Sequence, residues 1–297
     1  MALSTAQEQN LHETPNQTEY IGEIGEISNL DQNQTIQLNN TYTNPVVFAL
    51  NLSSNGIDPA NARITDLQDD SFALKIQEPR HKDQWHTKES ISYLVLEAGT
   101  WELGDGTILE VGTVDTDSIT MAEWESIDFK SDFQETPAIL SQVQSYNGKQ
   151  LTRTRQMSSS ADGFEVALEE EEALLKTGHE TETVGWLAIE TGSGNWNGLD
   201  YEAGHTEMDI NHTWSEIEFD QSFEREPGFF ASISSYAGQD SVGLRYRNLG
   251  TSDVEIKIEE DQSLDRETLH NMEMVNFLAI AGLGNLSGSA YNSMSDF

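Results

Sequence analysis

Three arginines and three His-x-x-Glu pairs recur in the same order along this chain, and their side chains are the ones best suited to chemistry. Arg63, Arg155 and Arg245 each stand nine residues before an apolar residue, Phe72, Phe164 and Val254. His86, His179 and His270 each precede a glutamate by three positions: Glu89, Glu182 and Glu273. A guanidinium fork of five donors suits vicinal hydroxyls or a carboxylate, so the arginines are candidate ligand-binding residues. The competing role is an ion pair with a glutamate of the same chain, which arginine forms readily. Arg153 shares the face of Arg155 at a spacing of two along a strand. The histidines are further candidates for a ligand site. Residues three apart on an extended strand face opposite sides, however, and zinc needs three or four ligands at fixed distances. A structural hydrogen bond at the strand entrance is therefore the alternative for each His-x-x-Glu.

Aromatic residues add a binding signal. Tyr146 and Tyr236 sit in matching turns, Ser145-Tyr146-Asn147-Gly148 and Ser235-Tyr236-Ala237-Gly238. Rings at turn tips can stack on the apolar faces of sugars, and a ring with a polar tip suits a wet site. Trp101 and Trp196 follow the last strand of their repeats in similar surroundings, with plugging of a domain interface as their other role. Acidic runs supply hard oxygen ligands. Glu169, Glu170, Glu259, Glu260 and Asp261 are candidate ligands for calcium, which takes six to eight oxygens; solvated acidic faces are the ordinary reading of such runs. No nucleophile elbow, phosphate-cradling loop or H-E-x-x-H helix is present in the sequence, which points away from an enzyme. Among 52 acidic residues a chance pair of carboxylates says nothing about glycoside hydrolysis.

The elements that position these residues repeat with them. The offset between copies is 90 to 93 residues, too long for a solenoid unit and right for a small domain. Phe164 to Leu168 and Val254 to Ile258 alternate with period two, as strands do. Trp186-Leu187-Ala188-Ile189 and Phe277-Leu278-Ala279-Ile280 are continuous apolar runs and belong to strands buried on both faces. Val143 to Tyr146 and Phe230 to Ile233 read as early strands, and the segment Glu169 to Lys176 as a loop or strand end. The expected architecture is all-β: three tandem antiparallel sandwiches of about six strands each, packed with pseudo-threefold symmetry. The boundaries are a flexible polar arm at 1–19, repeats at 20–112, 113–204 and 205–286, and a polar tail at 287–297.

Formal charge is -37, from 52 acidic against 15 basic residues in 297. That excludes nucleic acid, whose phosphates need Lys and Arg to displace counterions, and docking on anionic lipid. There is no cysteine, hence no disulfide or thiol chemistry, and no 18-residue apolar stretch for a membrane span. The N-terminus lacks the layout of a secretory signal. The acidic, cysteine-free composition and the Ser-rich end closing in Asp296-Phe297 fit an extracellular or cell-surface protein exported by a type I route.

Ile127-Asp128-Phe129 with Phe133 and Pro137, then Arg155, Gly163-Phe164 and Trp186-Leu187-Ala188-Ile189-Glu190, resemble the pattern of the H-type lectin domain. The likeness covers about 65 residues of the second and third copies and is looser in the first. It implies six-stranded sandwiches grouped in threes, with galactose-like sugars bound between protomers. On the family's pattern the sugar-binding arginine falls a few residues ahead of Arg155, at Leu151, with Arg153 the nearest same-face residue. The family's aromatic–His loop has no clean counterpart. The resemblance therefore implies a carbohydrate-binding protein with glycan partners and repeated weak sites. The alternative is a structural subunit of a surface sheath, fibre or coat that assembles with itself through the N-terminal arm. A ligand-facing role for the arginines predicts that Arg155→Ala and Arg245→Ala weaken binding and leave stability nearly unchanged.

Overall fold

The computed structural model describes residues 19–175 and 177–291, and there the all-β class is what forms. The first repeat contributes β1 (Glu19–Leu30), β2 (Gln34–Gln37), β3 (Pro45–Phe48), β4 (Leu52–Ser53), β5 (Asn61–Leu67), β6 (Ser71–Gln77) and β7 (Glu89–Glu97). The second contributes β8 (Gly99–Glu102), β9 (Ile108–Thr116), β10 (Glu125–Asp128), β11 (Ala138–Val143), β12 (Thr152–Met157), β13 (Gly163–Glu170) and β14 (Glu182–Ile189). The third contributes β15 (Gly192–Trp196), β16 (Leu199–His205), β17 (Ser215–Glu218), β18 (Pro227–Ile233), β19 (Val242–Arg247), β20 (Asp253–Glu260) and β21 (Val275–Ala281), followed by β22 (Gly284–Ala290). Among the described residues one 3-10 turn forms, Glu172–Leu174, at the end of the acidic run.

Each repeat is built from two layers of three strands. The inner layers run β1-β7-β3, β9-β14-β11 and β16-β21-β18, and the outer layers β2-β6-β5, β10-β13-β12 and β17-β20-β19. The continuous apolar runs now have a physical reason. On β14, Trp186 and Ala188 point into the sandwich of their own repeat, while Leu187 and Ile189 point the other way. On β21, Phe277 and Ala279 likewise face inward and Leu278 and Ile280 outward. The outward sets meet, together with Ile21, Val46 and Leu94, in one central core shared by all three repeats. A strand with a core on each side cannot alternate with polar residues.

The connectors complete the ring. β8 pairs with β9, and β15 with β16. The third counterpart is β22, which returns from the far end of the chain to pair with β1, Glu19 opposite Gly288. β22 also pairs with β8, so the inner layers of the first two repeats fuse into one eight-stranded sheet. This corrects the expected polar tail: residues 287–290 belong to a strand, because the free side of β1 needs a partner and Leu286 is fully buried in the central core. Residues 1–18 and 292–297 lie outside the described residues, and with them most of the arm on which the self-assembly reading rests and the terminal Asp296-Phe297 of the export reading. Glu19, placed in the arm, opens β1.

Two further expectations are corrected. The early strand β11 ends at Val143, so residues 144–146 are loop. Trp101 and Trp196 are not counterparts. The glycines that open the connector strands with positive φ, Gly99 and Gly192, place Trp101 two residues on and Trp196 four. Trp196 is fully buried in the central core, with Nε1 donating to the Ser287 carbonyl at 2.9 Å. Half-buried Trp101 packs against that core.

Candidate functional site

The recurrent arginines, histidines and glutamates do come together, at the three boundaries between repeats. Arg63 on β5 reaches Glu182 of the second repeat, Nη2 to Oε1 at 3.3 Å. Arg155 on β12 reaches Glu273 of the third at 2.8 Å. Arg245 on β19 reaches back to Glu89 of the first at 2.6 Å. The order first to second, second to third, third to first closes a cycle. Each arginine is only 1% exposed, so none of the three offers its guanidinium to a ligand in solution, and of the two roles open to them the ion pair with glutamate is the one that forms. Most of their remaining donors go to protein as well, though the Nε–H groups of Arg63 and Arg155 meet no acceptor among the described residues. Arg63 bonds the carbonyls of Thr152 and Ser145, Arg155 the Ser235 carbonyl and Glu169, and Arg245 the Ser53 carbonyl and Glu259.

Each interface glutamate sits in a preformed cradle. Glu273 accepts from the amides of Ala237 and Gly238 at 2.9 and 3.0 Å and from the Ser235 hydroxyl. Glu182 does the same with Asn147, Gly148 and Ser145, and Glu89 with Asn55, Gly56 and Ser53. The first-repeat cradle, Ser53-Ser54-Asn55-Gly56, escaped the sequence reading because Ser54 stands where Tyr146 and Tyr236 stand in the others. These segments are not hairpins. β11 and β12 lie in different layers, so the chain crosses over between them. Gly148 and Gly238 are needed for their missing side chain, since a Cβ would come within 2.2 and 2.3 Å of the His179 and His270 rings. Gly238→Ala is therefore expected to displace His270 and cost about 1–3 kcal/mol, the usual range for overpacking. Urea unfolding measures it, and an unchanged midpoint would contradict the packing argument.

Each histidine bridges two carboxylates. His86 contacts Glu78 and Glu89 at 2.8 and 3.0 Å, His179 contacts Glu170 and Glu182 at 2.7 and 3.2 Å, and His270 contacts Glu260 and Glu273 at 3.0 and 3.2 Å. The opposite-face argument fails because the histidine lies in the loop before its strand and folds back over a glutamate that opens the strand, as Glu89 and Glu182 do, or stands two residues ahead of it, as Glu273 does. Burial by itself would keep His179 and His270 neutral, but the hydrogen bonds to the flanking carboxylates outweigh it and push both up to about 9. Burial also opposes ionisation of Glu182 and Glu273. The histidine, the serine hydroxyl and the loop amides overcome it and hold both down at about 2. His86 is raised and Glu89 lowered by the same balance.

The sign of the pH dependence follows. A histidine raised from 6.5 to about 9 gives stability that is complete below pH 6.5 and lost as pH climbs through 9. A carboxylate lowered from 4.5 to about 2 gives stability that is complete above pH 4.5 and lost as pH falls through 2. Between pH 4.5 and 6.5 both contributions are whole. The urea midpoint is therefore expected to fall from pH 7 to pH 10, and a midpoint rising across that interval would contradict the charged clusters.

Tyr146 and Tyr236 are half-buried, with the Arg63 and Arg155 guanidinium carbons 5.3 and 5.1 Å from their ring centroids. They press on the interface arginines and are not free turn tips. Arg153 is buried between the second and third repeats, with Nη1 bonded to Ser241 Oγ at 3.0 Å. The acidic residues assigned to calcium have protein partners. Glu169 holds Arg155 and the Val242 amide, Glu170 holds His179, Glu259 holds Arg245 and Lys257, Glu260 holds His270, and Asp261 takes the Glu172 amide. Asp240, Glu260 and His270 stand close enough to share a cation. The His270 ring, however, gives both nitrogens to Glu260 and Glu273, as its two counterparts do to theirs.

No family model matches the chain, and no solved structure matches it. Among curated proteins the chain is similar to Halomucin of Haloquadratum walsbyi (strain DSM 16790 / HBSQ001), with 30% identity over 275 residues. The alignment covers 88% of this chain and 3% of Halomucin, so the chain corresponds to a small part of that protein.

Proposed function

We propose that the chain is a non-enzymatic module of a surface or extracellular protein, a rigid acidic unit of the H-type-lectin-like plan that serves as a building block. The observation that carries this reading is the closed cycle of buried Arg–Glu–His clusters. The side chains best able to bind or catalyse are spent on holding the repeats together. The likeness to a stretch of Halomucin agrees with a surface setting, and no helix among the described residues is long and apolar enough to cross a membrane. A charge of -37 on such a unit favours hydration and mutual repulsion over collapse onto neighbours. Antibody labelling of intact source cells tests the setting: signal without permeabilisation is expected, and signal only after permeabilisation would overturn it.

A second reading, carbohydrate binding, is favoured by a separate feature. A cleft of about 770 Å³ opens beside β10, with half-buried Phe129 and Tyr291 as rings and Asp128, Lys130, Asp132 and Gln134 as polar groups. Concave sites of this size with a few polar groups suit small ligands. A glycan array run with wild type and Tyr291→Ala tests it. Competable binding lost in the variant is expected, and a blank array leaves the building-block reading alone.

A further inference from the structure

We propose that the axis of the three repeats holds a site for one small monovalent anion of the halide class. Around that axis the repeats grip one another through side chains. Gln142 bonds the Ala49 amide and carbonyl at 2.6 and 2.8 Å, and Asn51 bonds the Ala231 amide and carbonyl at 2.6 and 3.0 Å. Ser232 Oγ accepts from the Ser141 amide at 3.2 Å. These contacts frame a cavity of about 50 Å³ to which all three repeats contribute. One water needs ~10–15 Å³ on this measure, so the cavity takes a halide with residual water and is too small for a sugar or a phosphate ester.

The wall has the sign an anion needs. In a chain with 52 acidic and 15 basic residues, the cavity is lined by Arg63 and Arg153 and by no Asp or Glu. These arginines are 1% and 7% exposed, and neither Nε–H meets an acceptor among the described residues; the Nε–H of Arg155, outside this wall, lacks one as well. A buried donor without an acceptor is costly, and an anion in the cavity that these residues line would supply one. Gln142, Thr152 and Thr154 add polar groups to the same wall. The carboxylates whose fields reach Arg153, those of Asp261, Glu169 and Glu259, are bonded to the Glu172 amide, Arg155 and Arg245 and stand outside the wall.

Arg153 also breaks the threefold pattern. Its counterparts are Asn61 and Gly243, and its side chain lies over Gly243, where a Cβ would stand 3.1 Å from its Nε. One repeat supplies the charge and another the space for it, so the axis has a single site.

Crystals of the full chain grown in sodium bromide give the direct test. An anomalous bromide peak is expected on the axis, in the cavity lined by Arg63 and Arg153, and it is expected to vanish in Arg153→Gln. In solution, unfolding in chloride is compared with gluconate at equal ionic strength. At chloride ten times its Kd the unfolding equilibrium constant is expected to fall about elevenfold, a difference that Arg153→Gln loses. If that variant does not fold, the wild-type peak decides. A wild-type map without a peak at the axis, or equal unfolding of wild type in the two salts, overturns the proposal.

Discussion

Arg155→Ala is expected to lower the stability of the chain by about 3–5 kcal/mol, the range for removing one partner of a buried ion pair. The loss has three parts. Glu273 and Glu169 are left ionisable and buried without the guanidinium that neutralises them. The Ser235 carbonyl loses its donor, and the Tyr236 ring loses the cation it covers. Urea unfolding measures the change, and Arg247→Ala supplies the contrast. The Arg247–Glu255 pair lies at the solvent-facing surface, so its loss is expected to move the urea midpoint far less than the loss of Arg155. This ordering reverses what a ligand-facing arginine would give. Equal, small effects for Arg155 and Arg247 would return Arg155 to the ligand-facing role, the other of the two that its sequence position allows.

Trp196→Ala is expected to cost a similar amount, about 3–5 kcal/mol, as a large-to-small change in a packed core. Trp196 is fully buried where inner strands of all three repeats converge, with its ring 6.4 Å from that of Tyr201, and its Nε1 holds the carbonyl of Ser287 on β22. The substitution therefore opens a cavity and releases the strand that closes the ring. Trp85, 67% exposed, is the control: Trp85→Ala is expected to change stability by less than about 0.5 kcal/mol. Thermal unfolding of the two variants checks both, and comparable melting temperatures would show that the central core contributes little.

Much of this fold could be read from residue order. The period marked the repeats, and the double-faced apolar runs at 186–189 and 277–280 marked the inner strands, because burial on both sides leaves a signature that needs no partner to be seen. What could not be read was which face met which neighbour. Arg155 looks the same in sequence whether its fork meets a sugar or Glu273, 118 residues away; only the closure of the ring decides. The same holds for Glu169–Glu170, which reads as a metal-rich run and is in fact shared between Arg155 and His179. Ser-x-x-Gly followed, about 35 residues later, by His-x-x-Glu was visible as spacing. Its meaning, an amide cradle roofed by an imidazole, depends on a crossover between layers that the turn residues alone do not show. The strand at 284–290 was missed because its small polar residues carry no alternation: Leu286 alone anchors it, and the edge of β1 calls for it.

The three repeats form one closed unit, each holding the next through a buried Arg–Glu pair around a shared core. Differential scanning calorimetry of the full chain at pH 6 tests it most directly. One transition is expected, with a calorimetric enthalpy equal to the van't Hoff enthalpy, as a single cooperative unit requires. Separate transitions, or a calorimetric enthalpy about three times the van't Hoff value, would show three domains that fold independently and would contradict the closed ring.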